Sequence, residues 1–294
     1  MQTSTRGTLD AWQAVLVGVA GAVVGLLPWA IGGMRLPLQN LWRDDTPAEQ
    51  MPLALLPFSQ YAVAELIAMI GVGSVIAGLV ARRWAPRLGR AGIRWVGVGV
   101  VGLQGIAFAQ TVAVVLGGLR SGLASFVYVG GLTAVALAAV LLGLLAYALV
   151  AGAPPAGALV GLTLGAIALS FWMPTLLEFG SSASVAAGIV RGLVEPLGPA
   201  LMGVAIAWCG LRGGARIAAT VGSLALLWVL PAALDGARFA LGSRALLPYP
   251  AELLDAFLHT AGQTLTAGAL RGVAVAAGVA AVGLVARALV GRRA

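Results

Sequence analysis

The chain has 294 residues, of which 60% are hydrophobic and 10% are charged, and its formal net charge is +8. Apolar runs of about 20 residues recur along it, which is enough to cross a hydrocarbon core about 30 Å thick. This composition excludes a soluble globular domain and predicts an all-α, polytopic transmembrane helix bundle. All 18 basic residues are arginines in or near short segments beside apolar runs, so the expected partners are the bilayer and its anionic lipids rather than nucleic acid.

Eight transmembrane spans are predicted. The first apolar run exceeds the roughly 7 to 15 residues of a secretory signal core, so we interpret it as a retained span. The segment 33–60 after it is too polar to lie in lipid, and Thr46, Pro47 and Glu49 indicate a short surface helix there. In chain order, the predicted spans are 11–31, 61–81, 95–116, 123–150, 156–173, 197–211, 217–234 and 263–286.

Two stretches of the first polar segment carry a family resemblance. RLPLQNLW at 35–42 and EQMPLALLPFSQY at 49–61 resemble stretches of multipass integral membrane proteins of actinobacteria for which no activity is known. The resemblance implies the same membrane class and makes this loop a recurring feature. It transfers no site residues.

The charged residues predict an orientation. Eleven of the 18 basic residues lie at the chain ends or in the breaks at 82–94 and 212–216, whereas eight of the ten acidic residues lie in the alternate breaks. Basic loops are retained on the cytoplasmic side, so both termini are predicted to be cytoplasmic, in a protein of the cell membrane. The break at 82–94 is a candidate cytoplasmic surface for docking a partner protein or contacting lipid. Its arginines are Arg82, Arg83, Arg87, Arg90 and Arg94.

Residues 1–294 are predicted to form one integral membrane domain with no soluble domain. The halves 1–150 and 151–294 show the same order of spans and loops, which suggests a parallel repeat of four plus four helices. Small residues spaced by four also predict close helix packing. The glycines with this spacing are Gly21 and Gly25, then Gly157, Gly161 and Gly165, then Gly268 and Gly272.

Two charged residues fall inside predicted spans. Glu65 lies about one turn into the second span and Arg271 about two turns into the eighth, both in the outer half. A charge in hydrocarbon is costly, so such a group pairs, lines a wet cavity or extends to the headgroups. We therefore predict a Glu65–Arg271 ion pair. The alternative is that each side chain extends to the outer headgroups separately.

A polar stripe follows the eighth span, since Thr264 and Arg271 share a helix face with His259 and Gln263 beside it. One interpretation is the wall of an outward-facing polar vestibule, and the other is a hydrogen-bonded seam between helices. His259 and Asp255 are too few ligands to predict a metal site. The candidate vestibule or ion-pair residues are Glu65, Arg271, Gln104, Gln110, His259, Gln263 and Thr264. For Gln104 and Gln110, interhelical hydrogen bonds are the favoured alternative to facing this stripe.

The motifs do not indicate an enzyme. The sequence contains no Walker loop, no HExxH and no nucleophile elbow, and its single cysteine, Cys209, excludes a multi-cysteine metal centre. No catalytic, cofactor or metal site is predicted. The patterns favour a permease-like transporter with an outward-facing polar vestibule. The alternative is a non-catalytic membrane subunit or scaffold that docks partners, including the permease subunit of an ATP-driven exporter whose ATPase binds the arginine-rich break.

Overall fold

A computed structural model describes residues 9–39, 41–178, 185–243, 246 and 249–290. In those residues the fold is all-α, with two isolated β-bridges and no strand. The helices are α1 (Ala11–Ile31), α2 (Val63–Arg83), α3 (Ala85–Gly118), α4 (Leu123–Gly152), α5 (Pro155–Glu178), α6 (Val185–Val194), α7 (Leu197–Cys209), α8 (Gly214–Gly242) and α9 (Pro250–Val290).

The predicted set of eight spans is confirmed by helix length and hydropathy. Within the described ranges, eight segments are long and apolar enough to cross a membrane, with α6 and α7 together supplying the sixth, Gly188–Cys209. Several predicted boundaries were too short. α5 continues through Pro174, α8 continues beyond 234 to Gly242, and α9 begins at Pro250 rather than at 263. Membrane helices tolerate proline, because neighbouring helices and local adjustments satisfy the freed backbone groups.

The arginine-rich break is largely helical. α2 ends at Arg83 and α3 begins at Ala85, so only Trp84 separates them. Gly89 has φ 61° and ψ −175°, a left-handed conformation that favours glycine, and α3 bends there. Arg87 and Arg90 therefore lie on either side of this bend.

Contacts between helix ends fix the direction of each crossing. The backbone N–H of Leu9 donates to the Arg87 carbonyl (3.2 Å), and Arg287 donates to the Trp208 carbonyl (2.8 Å). The Arg82 guanidinium lies 5.5 Å from the centre of the Trp208 ring. α1 thus begins, and α2, α7 and α9 end, at one end of the bundle, which we call the basic end. The side of the membrane that this end faces stays a prediction.

The opposite end, here called the loop end, is covered by residues 33–39 and 41–60, the covering loop. Although this segment carries several charges, part of its apolar side chains point inward, and Leu36, Met51, Leu56 and Phe58 are each at most 2% exposed. The expected short helix is a single 3₁₀ turn, Ala48–Gln50. It lacks the predicted side-chain cap, since Thr46 Oγ1 donates to the Asp44 carbonyl instead (3.5 Å).

Glycines bring α1 against two neighbours. A Cβ added at Gly18 would lie 2.0 Å from the Val96 carbonyl oxygen, and one at Gly25 would lie 2.2 Å from the Met69 carbonyl oxygen. These backbones approach more closely than any side chain would permit. The predicted glycine packing is thus found in α1, and in α5 at Gly161, but Gly268 meets only a side chain of its own helix.

The two halves pack in corresponding pairs. α1 packs on α2 and α3, and α2 packs on α4; likewise α5 packs on α7 and α8, and α7 packs on α9. The main contacts between the halves are those of α5 with α2 and α4. This correspondence agrees with the arrangement expected of a four-plus-four repeat, which itself stays a prediction.

Candidate functional site

Gln104 lies inside the first half. Its side chain is 4% exposed, and Nε2 donates to the Ile70 carbonyl (3.2 Å) and to Ser74 Oγ (3.1 Å), both on α2. These contacts make it a link between α3 and α2. It does not face α9, and of the two interpretations of Gln104 these contacts agree with interhelical hydrogen bonds rather than with a vestibule position.

Gln110 holds the covering loop in place. Its Oε1 accepts from the backbone N–H of Leu55 (2.9 Å), and its Nε2 donates to the Leu53 carbonyl (3.0 Å). Beside it, Thr111 Oγ1 accepts from the backbone N–H of Leu56 (3.0 Å). The side chain therefore satisfies loop backbone, which is neither the vestibule position nor the interhelical hydrogen bond considered for Gln110.

Glu65 has an arginine partner other than the predicted one. Its Oε1 lies 3.4 Å from Arg238 Nη2, which joins α2 to α8. Arg271 is exposed on α9, a helix that packs against α7 and α8. The predicted Glu65–Arg271 ion pair is replaced by Glu65–Arg238.

A polar cluster forms at the loop end around this ion pair. Thr264 Oγ1 of α9 donates to Asp235 Oδ2 of α8 (3.3 Å), and Asp235 lies one turn before Arg238. The polar cluster, which comprises Glu65, Asp235, Arg238 and Thr264, thus connects α2, α8 and α9. The bond of Thr264 to Asp235 therefore agrees with the hydrogen-bonded seam between helices rather than with the wall of a vestibule.

His259 and Gln263 are exposed near the start of α9, with their Nε2 atoms 3.5 Å apart. His259 lines a shallow surface depression with Glu252 and Asp255. Within the described ranges, no three histidine, cysteine or acidic side chains are grouped so that they could hold a metal ion.

A cavity of about 660 Å³ lies between the two halves, and we call it the central cavity. α2 and α4 border it on one side, and α5 and α7 border it on the other. It extends from mid-depth to the basic end. Its lining comes from residues 72–83, Val150, residues 162–169 and residues 201–208.

The central cavity is apolar except at its basic end. Arg82 and Arg83 are the charged residues of its lining, which contains no acidic side chain in the part of the chain that is described. Arg82 Nε donates to the Val150 carbonyl (2.5 Å), and Nη2 donates to the Ala153 carbonyl. These bonds, with the cation–π contact to Trp208, fix the guanidinium at the cavity mouth.

The cavity is open on one side, between α2 and α7. Leu79 of α2 is 44% exposed, and Val204 and Trp208 of α7 are 54% and 45% exposed. Because both helices belong to apolar spans, this opening faces the hydrocarbon of the bilayer in a membrane.

Sequence reasoning missed the central cavity because its walls carry no polar signal. The glycine spacing of α5 did not indicate it either, because Gly165 packs closely on α2: an added Cβ there would lie 2.7 Å from Val75 Cγ1.

The remaining arginines of the break form a surface. Arg83, Arg87, Arg90 and Arg94 are all exposed at the basic end. Their geometry suits contact with anionic headgroups or with an acidic protein surface.

No protein-family model, curated protein or solved structure matches the chain. The eight long apolar helices of the described residues are compatible with a multipass membrane protein. A more specific function has to be argued from the central cavity and the polar cluster.

Proposed function

We propose that the chain is a permease-like transporter of the cell membrane and that its substrate path is the central cavity. The observation that carries this proposal is a cavity of about 660 Å³ bordered by helices of both halves and reaching from mid-depth to the basic end. Transporter sites are typically formed near mid-membrane between two structural repeats. In this proposal the cavity takes the place of the outward polar vestibule, and the basic end is cytoplasmic.

The opposite end of the path is closed. Trp172 of α5 is buried against the first half on the loop side of the cavity, and its Nε1 donates to the Gly25 carbonyl of α1 (2.7 Å). Farther out, the Glu65–Arg238 ion pair joins the halves again. Alternating access requires two repeats to rock against each other around a fixed site, so we propose that this ion pair separates when the cavity opens to the loop end.

Cysteine accessibility tests the proposal. Cys209, the single cysteine of the chain, is replaced by alanine, and Leu169→Cys places a thiol at the inner end of the cavity. A membrane-impermeant maleimide is then applied from the loop side. We expect slow labelling with the ion pair intact, and several-fold faster labelling in Glu65→Gln or Arg238→Gln.

Two controls make the test specific. Glu49→Gln and Arg120→Gln change exposed charges at the loop end without touching the ion pair, and we expect both to leave labelling unchanged. The exchanged pair Glu65→Arg with Arg238→Glu should restore slow labelling. If labelling from the loop side is equal in all folded variants, the interface is static and the transporter proposal is overturned.

A second candidate function is supported by the exposed arginines. As a non-catalytic subunit, including the permease subunit of an ATP-driven exporter, the chain would dock an acidic partner on Arg87, Arg90 and Arg94. Arg87→Glu with Arg90→Glu should then release a protein that co-purifies from native membranes, while the control Arg120→Gln keeps it bound. A chain that purifies without any stoichiometric partner would contradict this function.

A further inference from the structure

We infer that the central cavity binds a phospholipid with an anionic headgroup, taken from the leaflet at the basic end. Its acyl chain would lie between α2 and α7, with its phosphate at Arg82 and Arg83. This inference rests on the proposed function, since it names the ligand class of the same cavity. Binding and movement are nevertheless measured separately.

The walls of the cavity select an acyl chain. From residues 72 to 79 and 162 to 169, the lining offers hydrocarbon side chains and no hydrogen-bonding side chain. A polar solute there would lose its hydration without replacement, which is unfavourable. The volume lies within the range of small-molecule sites, and the opening between Leu79 and Val204 admits a chain directly from the bilayer.

The mouth of the cavity selects a negative headgroup. Arg82 is held there by the Val150 and Ala153 carbonyls, and Arg83 is exposed beside it. Trp208 lies at the same level, where aromatic rings are favoured at the membrane interface. Two positive charges, with no carboxylate among the described residues of the cavity lining, attract an anionic lipid more strongly than a zwitterionic one.

The length of the central cavity argues against the transmembrane helix of a partner protein as its occupant. α2 exposes only Leu79 and Arg83, which are both near its basic end, and it is buried or half-buried from Val63 to Gly78. A spanning helix would pack along the whole length of α2. The central cavity extends over about half the thickness of the bilayer, which is the length of one lipid in one leaflet.

Trp208 provides the measurement. The protein is placed in phosphatidylcholine vesicles with increasing fractions of brominated phosphatidylglycerol or brominated phosphatidylcholine. The Trp208 signal is obtained by subtracting the fluorescence of Trp208→Phe, because the chain has eight tryptophans. We expect saturable quenching that favours phosphatidylglycerol by about fivefold for each arginine that contacts the headgroup.

Matched variants separate the headgroup from the acyl chain. Arg82→Gln with Arg83→Gln should abolish the preference, whereas Arg90→Gln with Arg94→Gln, outside the cavity, should keep it. Arg83→Gln alone tests the same point without removing the bonds of Arg82. Val204→Phe should reduce quenching by both lipids, whereas Val221→Phe on an exposed face of α8 should not.

The outcomes are distinct. Equal quenching by the two lipids in the unaltered protein, or a preference retained in the arginine variants, would overturn the lipid inference. So would a co-purified protein whose removal is needed before any lipid quenches Trp208. If the lipid preference fails while Leu169→Cys labelling still responds to Glu65→Gln, the proposed function stands; a lipid preference with unresponsive labelling would mean a structural lipid instead.

Discussion

The two halves of the bundle use the same pairs of helix contacts but differ in how they are closed. In the first half, α2 is the most buried span, α1 is held by backbone contacts at glycines, and the covering loop seals the loop end. In the second half, α8 and α9 are the least buried spans, and their polar groups meet at one cluster. In the proposed transport cycle, the first half would be the fixed part and the second half the moving part.

Disrupting the glycine packing of α1 in the first half should reduce the stability of the protein the most. In Gly25→Ala, the added methyl would lie 2.2 Å from the Met69 carbonyl and 2.8 Å from Gly73 Cα. Backbone cannot yield as a side chain does, so we expect a loss of about 3 kcal/mol of stability, measured by thermal unfolding in detergent. Gly102→Ala, in open space on α3, should leave the unfolding temperature nearly unchanged.

Releasing the covering loop should have an intermediate effect. Gln110→Leu removes both hydrogen bonds to loop backbone and leaves the Leu55 N–H and the Leu53 carbonyl without this partner. We expect a loss of about 2 kcal/mol and faster amide exchange in residues 51–58. Gln263→Leu on exposed α9 is the control, and equal exchange in the two variants would contradict the role assigned to Gln110.

The basic end allows a direct comparison of the halves. Arg82 of α2 donates to carbonyls at the end of α4, and Arg287 of α9 donates to the Ala207 and Trp208 carbonyls at the end of α7. Arginine is favourable at a helix C-terminus, so Arg287→Gln should cost about 1 kcal/mol in thermal unfolding. Arg90→Gln, which removes no bond to a helix-terminal carbonyl, should reduce stability less. An equal loss of stability in the two variants would contradict the capping role of Arg287.

The polar cluster should give the smallest change in stability. Thr264→Val removes one hydrogen bond to Asp235, and we expect a loss of about 0.5 kcal/mol because Asp235 keeps Arg238 as a neighbour. Thr266→Val, whose hydroxyl bonds only within its own helix, is the matched control. A larger loss in Thr264→Val than in Gln110→Leu would reverse the proposed contrast between the halves.

Hydropathy predicted the eight spans, because length and apolar content are read directly from the chain. The ion-pair partner of Glu65 could not be predicted from the sequence, because the depth of a residue in the membrane does not identify the helix beside it. The prediction also ended the seventh span at 234, soon after Pro231, which placed Arg238 outside. The helix instead continues to Gly242 and carries Arg238 to Glu65.

The other two differences also have physical causes. The covering loop is polar on average, but Leu36, Leu56 and Phe58 are buried beneath it, and only packing separates these side chains from the exposed ones. The central cavity arises where apolar helices fail to touch, so its walls have the same composition as a filled interface. Arg82, predicted as a surface residue for docking or lipid contact, proved to lie at its mouth.

The covering loop also constrains the order of assembly during synthesis. It connects α1 to α2, yet the groups that bind it lie on helices made later: Gln110 and Thr111 of α3, and the carbonyl of Gly118, which accepts from the Arg43 N–H (2.8 Å). A chain that has inserted only two helices therefore cannot complete this loop. We expect its backbone to stay available to chaperones and proteases until the third helix has crossed, so protection of the loop would report the insertion of α3.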